Sequence, residues 1–120
     1  KSVPSAASKI IANDTCPTTI IYNQPINLPK LLTHNKTIGI RVVKKHGINM
    51  LLKHFGKALT STSANISHSK NPLFFEDISD HIKNSVDYII PQIFNEVKTT
   101  HKASKIIKIN RDSTIELIRD

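Results

Sequence analysis

The period of the apolar positions changes along this chain, and each change marks an element. Residues 5–12, Ser-Ala-Ala-Ser-Lys-Ile-Ile-Ala, fit the end of a helix that Asp14-Thr15-Cys16-Pro17 breaks. A β-branched run over residues 18–22 reads as a strand. Residues 23–29 hold two prolines and two asparagines and read as a loop, after which residues 37–43 form a second β-branched run and a second strand. Ile48, Met50, Leu51, Leu52 and Phe55 recur at helical spacing between Gly47 and Gly56, which predicts an amphipathic helix closed by glycine. Residues 58–61 read as a short strand, residues 62–71 as a stretch of small polar groups, and Pro72 leads into a helix over residues 76–84 with acids in its first turn. Residues 86–90 look like another strand. Two apolar alternations, 104–110 and 114–119, flank Arg111-Asp112-Ser113 and predict an antiparallel hairpin. Strands interleaved with helices and ending in a hairpin point to an α/β fold: a twisted mixed sheet flanked by helices.

Size and charge narrow the reading. With 120 residues, 38% of them hydrophobic, the chain has room for one core and not two, although a fragment of a larger domain has the same composition. The net charge of +8 raises nucleic acid, an anionic nucleotide or an acidic surface as partners. Of the 17 basic residues only Arg41, Arg111 and Arg119 are arginine. Richness in Lys, Ile and Asn is also what an AT-rich coding sequence produces without selection for binding. Cys16 is the single cysteine, which excludes an intramolecular disulfide and a multi-cysteine metal site and suits a reducing cytoplasm. With no adjacent base, Cys16 reads as a packing residue. Residues 1–13 contain no apolar run long enough for a signal peptide or a membrane span. The six histidines are scattered, with His46 and His54 eight apart, and read as solvated side chains; Glu76, Asp77 and Asp80 read as a helix start, not a metal site.

Two features carry candidate chemistry. Thr60-Ser61-Thr62-Ser63-Ala64-Asn65-Ile66-Ser67 leaves a predicted strand end as a run of small hydroxyl and amide groups, where backbone can approach a ligand closely. On composition alone it reads first as a turn whose side chains bond their own backbone, and order and neighbours decide between the two. Arg41 sits among apolar residues on a predicted strand, either on its solvated face or gripping a carboxylate or phosphate in bidentate fashion.

The order of these segments resembles the YrdC-like threonylcarbamoyl-adenylate synthases. Cys16-Pro17-Thr18-Thr19-Ile20-Ile21 resembles the family's Pro-Gly-Pro-x-Thr lead into a strand, and Gly39-Ile40-Arg41-Val42 its Gly-Ile-Arg-x-Pro strand. Thr62-Ser63-Ala64-Asn65-Ile66-Ser67 is similar to its Thr-Ser-Ala-Asn-x-Ser-Gly loop, the most specific of the four. Ser104 before a β-branched run, with Arg119 further on, resembles its Ser-Thr-x-x-Asp strand and later Leu-Arg pair. Together these segments span nearly the whole chain.

The resemblance implies a nucleotidyltransferase that forms threonylcarbamoyl-AMP and pyrophosphate from ATP, L-threonine and bicarbonate, with Mg2+, for modification of tRNA in the cytoplasm. It implies ATP contacts from Thr19, Ser63, Ala64, Asn65, Asn71 and Arg119, and L-threonine contacts from Arg41, Thr62 and Ser104. The family's basic Lys-x-Arg element and Pro-Thr-Glu-Thr-x-Tyr-Gly-Leu run belong ahead of residue 1, and nothing in residues 1–14 resembles them. One YrdC-like domain over residues 1–120, lacking the family's N-terminal segment, is therefore expected, with a complementary segment or polypeptide as partner. The alternative is a non-catalytic or split module that keeps the basic surface for tRNA or double-stranded RNA. Cys16 and His68 replace family glycines, Val43 a proline and Lys105 a threonine, and the glycines expected within residues 92–100 are missing.

Overall fold

The structure, a computed structural model, describes residues 3–13, 15–33, 35–44, 47–91 and 103–120. Two compact units divide the chain, one made of Lys1–Val42 with Ala103–Asp120, the other of Val43–Lys102.

The first unit is built on one mixed four-stranded sheet. Helix α1 (Ser5–Asn13) precedes strand β1 (Thr18–Asn23), and β2 (Thr37–Arg41) follows a loop that holds a 3-10 turn (Lys30–Leu32). The chain returns through β3 (Lys105–Ile109) and β4 (Ile115–Arg119). Strand order is β2-β1-β3-β4, with β1 antiparallel to β2 and parallel to β3, and β3 antiparallel to β4. The expected α/β class with a mixed sheet is thus present.

Alternation along the strands separates two faces. Ile20 and Ile107 are parallel partners, buried with Ile109 on one face, and α1 lies against them through Ala7, with Ala6, Ile10, Ile11 and Tyr22 around the cluster. Alanine at position 7 lets the helix backbone come close to the sheet. The hairpin turn between β3 and β4 forms where expected: Asn110 N–H donates to Thr114 O at 2.9 Å, Ser113 takes φ +68°, and Asp112 Oδ1 accepts from Thr114 N–H and Oγ1. Cys16, expected to pack, is exposed, because it lies in the turn ahead of β1.

In the second unit, α2 (Gly47–Phe55) matches the predicted helix. Gly56 closes it at φ +69°, its N–H donating to Leu52 O, a left-handed cap that glycine adopts without steric cost. The predicted helix over residues 76–84 shrinks to α3 (Asp80–Lys83). Asp77 Oδ2 accepts from Leu73 and Phe74 N–H, both at 2.9 Å, and Asp77 N–H donates to Phe74 O, so the backbone ahead of Ser79 is committed to a turn. Residues 58–61 and 86–90, predicted as strands, do not form strands. A strand needs a neighbour's ladder, and among the described residues the paired strands all belong to the first unit. Among the described residues, no helix is long and apolar enough to cross a membrane.

Candidate functional site

The face of the sheet opposite α1 carries the expected ligand residues of the first unit. Register places Arg41 opposite Thr19, Thr19 beside Ile106, and Ile106 opposite Arg119, so these four form one row across all four strands. At about 4.8 Å per strand the row is roughly 14 Å long, with an arginine at each end. The arginines flank a hydroxyl pair: Thr19 Oγ1 and Ser104 Oγ stand 3.0 Å apart, although 85 positions separate them in sequence.

Local chemistry explains how the pair forms. Lys105 N–H donates to Pro17 O at 2.9 Å, which extends the parallel ladder and brings Ser104 level with the start of β1. Gly39 stands in β2 beside β1, and a Cβ there would meet Thr19 Cγ2 at 3.3 Å, so the absent side chain leaves Thr19 its position. Arg119 completes the cluster. Its Nε and Nη2 donate to Ser104 O at 3.1 and 2.6 Å, and Nη2 lies 3.5 Å from Ser104 Oγ.

The electrostatic character of the row is cationic. Arg41 is exposed and has no carboxylate partner among the described residues. Lys105, where the family carries threonine, approaches Asp120 at 3.9 Å at the exposed margin. The Arg41 guanidinium beside a hydroxyl pair suits an anion carrying carboxylate or phosphate. Such donors are suited to binding and orienting an anion. Among the described residues, no group of three His, Cys, Asp or Glu side chains is placed to hold a metal ion.

Thr62, Ser63, Ala64, Asn65 and Asn71 belong to the second unit, in a loop that starts from unpaired backbone and not from a strand end. The turn reading accounts for part of it. Asn65 Nδ2 donates to Ile66 O at 3.2 Å and to Ser69 O at 2.9 Å, and Ser69 N–H donates to Ile66 O. The other amide atom has no such role: Asn65 Oδ1 is buried and has no partner among the described residues. Exchanging the amide's two ends would set the oxygen against two carbonyls, so the unpaired group is an acceptor. Ala64, Asn65, Ile66, Ser69, Lys70, Pro72, Asp77 and Ser79 line a small cavity of about 100 Å³ beside it. Thr62 and Ser63 are exposed, as is Asn71. The missing glycines of residues 92–100 lie outside the described residues.

Nothing in residue type announced one part of the site. An unbroken β3–β4 ladder running on from Ile107↔Leu117 would set Ile118 opposite Ile106; a bulge sets Arg119 there instead. No glycine or proline marks it in the sequence.

Known proteins give this geometry a context. The chain is 36% identical over 111 residues, 89% of its length and 57% of the relative's, to a threonylcarbamoyl-AMP synthase of Buchnera aphidicola subsp. Baizongia pistaciae. Threonylcarbamoyl-AMP synthases of two Vibrio vulnificus strains, YJ016 and CMCP6, are 30% identical over 73 residues, 61% of this chain and 38% of theirs. The chain thus spans about half the length of the curated relatives it matches. No solved structure matches it significantly. The family model described as "Telomere recombination" matches residues 1–120 from end to end, and the chain belongs to the Sua5/YciO/YrdC family.

Proposed function

We propose that this chain supplies the threonine- and nucleotide-facing wall of an L-threonylcarbamoyladenylate synthase, which forms threonylcarbamoyl-AMP and pyrophosphate from ATP, L-threonine and bicarbonate. The observation that carries the reading is the row from Arg41 through Thr19 to Arg119, with Ser104 paired to Thr19, in a chain whose curated relatives are named threonylcarbamoyl-AMP synthases.

Adenylyl transfer joins a carboxyl oxygen to the α-phosphorus of ATP as the bond to pyrophosphate breaks. It requires alignment and charge neutralisation more than a covalent intermediate. In this reading Arg41 grips the threonine carboxylate through its planar fork, and Ser104 and Thr62 face the amino acid. Thr19, Ser63, Ala64, Asn65 and Asn71 hold the nucleotide, with a ligand N–H or O–H meeting the unpaired Asn65 oxygen. Arg119 closes the other end of the row on the Ser104 carbonyl. Guanidinium and hydroxyl groups favour anions over a bare cation, so Mg2+ enters as the magnesium complex of ATP, neutralising its phosphates. The remaining length of the family, as further sequence or a second polypeptide, completes the enclosure, and tRNA is the destination of the product.

Calorimetry tests this directly. The expected result is binding of Mg-ATP and of L-threonine, with Arg41→Ala weakening threonine by at least about tenfold, the loss of one charge-assisted bidentate contact. A chain that binds neither ligand but binds tRNA or double-stranded RNA with steep salt dependence would instead be the non-catalytic module that its charge of +8 permits.

A further inference from the structure

Arg119 is committed to the protein before any ligand arrives. Its Nε and Nη2 close on the carbonyl oxygen of Ser104, a two-pronged grip on a backbone acceptor, with Nη2 also near the Ser104 hydroxyl. Ser104 sits just ahead of β3, and its hydroxyl pairs with that of Thr19. The grip therefore acts on a residue that the strand ladder only partly fixes.

The β3–β4 bulge has a consequence here. Because one extra residue, Ile118, is accommodated in β4, Arg119 rather than an isoleucine lies in the row with Ile106 and Thr19. Lys105, next to Ser104, is tied to Pro17 through its N–H and approaches Asp120 through its side chain. The residue after the serine is thus held from two sides, while the serine's own carbonyl is held by arginine alone among the described residues.

We infer that Arg119 is a positioning residue for the amino-acid end of the site: it fixes the Ser104 carbonyl, and thereby the Thr19–Ser104 hydroxyl pair, so that its contribution falls on threonine recognition through Ser104. This rests on the synthase reading for the ligand's identity but not for the clamp itself. Lysine cannot reproduce a planar two-nitrogen grip on one oxygen, so the role demands arginine and not merely positive charge.

The test uses the full chain and the variants Arg119→Ala, Arg119→Lys, Ser104→Ala and Ser104→Ala/Arg119→Ala. L-threonine and Mg-ATP are titrated separately by calorimetry, and amide exchange is followed at Lys105 N–H, with Asn110 N–H of the hairpin turn as an internal reference. Arg119→Ala is expected to weaken threonine about as much as Ser104→Ala, around tenfold. ATP affinity should stay within about twofold, Arg119→Lys should fail to restore threonine binding, and the double variant should be no worse than the more affected single one. Exchange at Lys105 should speed up while that at Asn110 does not. Loss of ATP affinity with threonine unchanged would show that Arg119 acts on the phosphates directly and overturn the inference, as would full rescue by lysine. If the unaltered chain binds neither ligand, the synthase reading fails and amide exchange decides alone: unchanged protection at Lys105 in Arg119→Ala would still overturn the clamp.

Discussion

His68 holds its backbone at φ +68°, in the left-handed region that a side chain other than glycine enters at a cost of about 1 kcal/mol. The family pattern has glycine there, and the reason is local. The turn brings Ser69 N–H onto Ile66 O and Ser69 O onto Asn65 Nδ2, so the left-handed residue helps aim the Asn65 amide. Histidine is among the residues that tolerate this conformation best, which explains how the turn survives the replacement. His68→Gly should raise the unfolding free energy by up to about 0.5 kcal/mol, the relieved strain slightly exceeding the entropy that glycine adds to the unfolded chain. It is read as a higher urea midpoint at constant slope. Cys16, the other replaced glycine, has no positive φ, and Cys16→Gly should give no gain. If His68→Gly also gives none, the turn is not held left-handed in solution.

At the scale of the element, two carboxylates organise short turns. Asp77 accepts from Phe74 and Leu73 N–H, which holds its carboxyl below the ordinary value of 3.8, with Lys70 and Lys83 adding to the effect; Asp112 is lowered mainly by its bonds to the Thr114 hydroxyl and N–H. A group with a lowered native pKa contributes stability that is complete above its unfolded value and disappears as pH falls through the lower native one. The Leu73 and Phe74 amide resonances should accordingly move only below about pH 4. In Asp77→Asn, which keeps an acceptor without the charge, that movement should vanish; persistence would assign it to another group. Such turns also show what could be read from residues alone. Helix α2, strands β1 and β2 and the final hairpin were legible because periodicity, caps and turn residues agree within a few positions. The helix over residues 76–84 was not, because one side chain, Asp77, diverts the backbone ahead of it. Residues 58–61 and 86–90 have strand composition, but composition does not supply a partner. The Thr19–Ser104 pair depends on a parallel register between segments 85 positions apart, which only the family resemblance joined, and the Arg119 clamp depends on a bulge that no residue marks.

At the scale of the whole molecule, the described residues concentrate their buried apolar surface in a small place. Among the described residues the core consists of Ala7, Ile20, Ile107 and Ile109, while the same sheet face continues outward to Ile40, 44% exposed, and to Ile115 and Leu117, 53% and 57% exposed. Ile20, at 2%, is the side chain on which α1 and the two central strands converge. Truncating a fully buried isoleucine removes its transfer free energy and leaves a cavity, a cost of about 2–5 kcal/mol against a total of about 5–15 for a typical domain. Ile20→Ala should therefore lower the unfolding free energy by about 2–5 kcal/mol, read as a marked drop in the denaturant midpoint. Leu117→Ala removes a side chain that water already reaches, and in this chain should cost less than about 1 kcal/mol. Denaturant unfolding of the two variants side by side checks the contrast. Equal costs would mean that Leu117 is covered in solution, and that the outer flank of the sheet, not only its centre, belongs to a buried core.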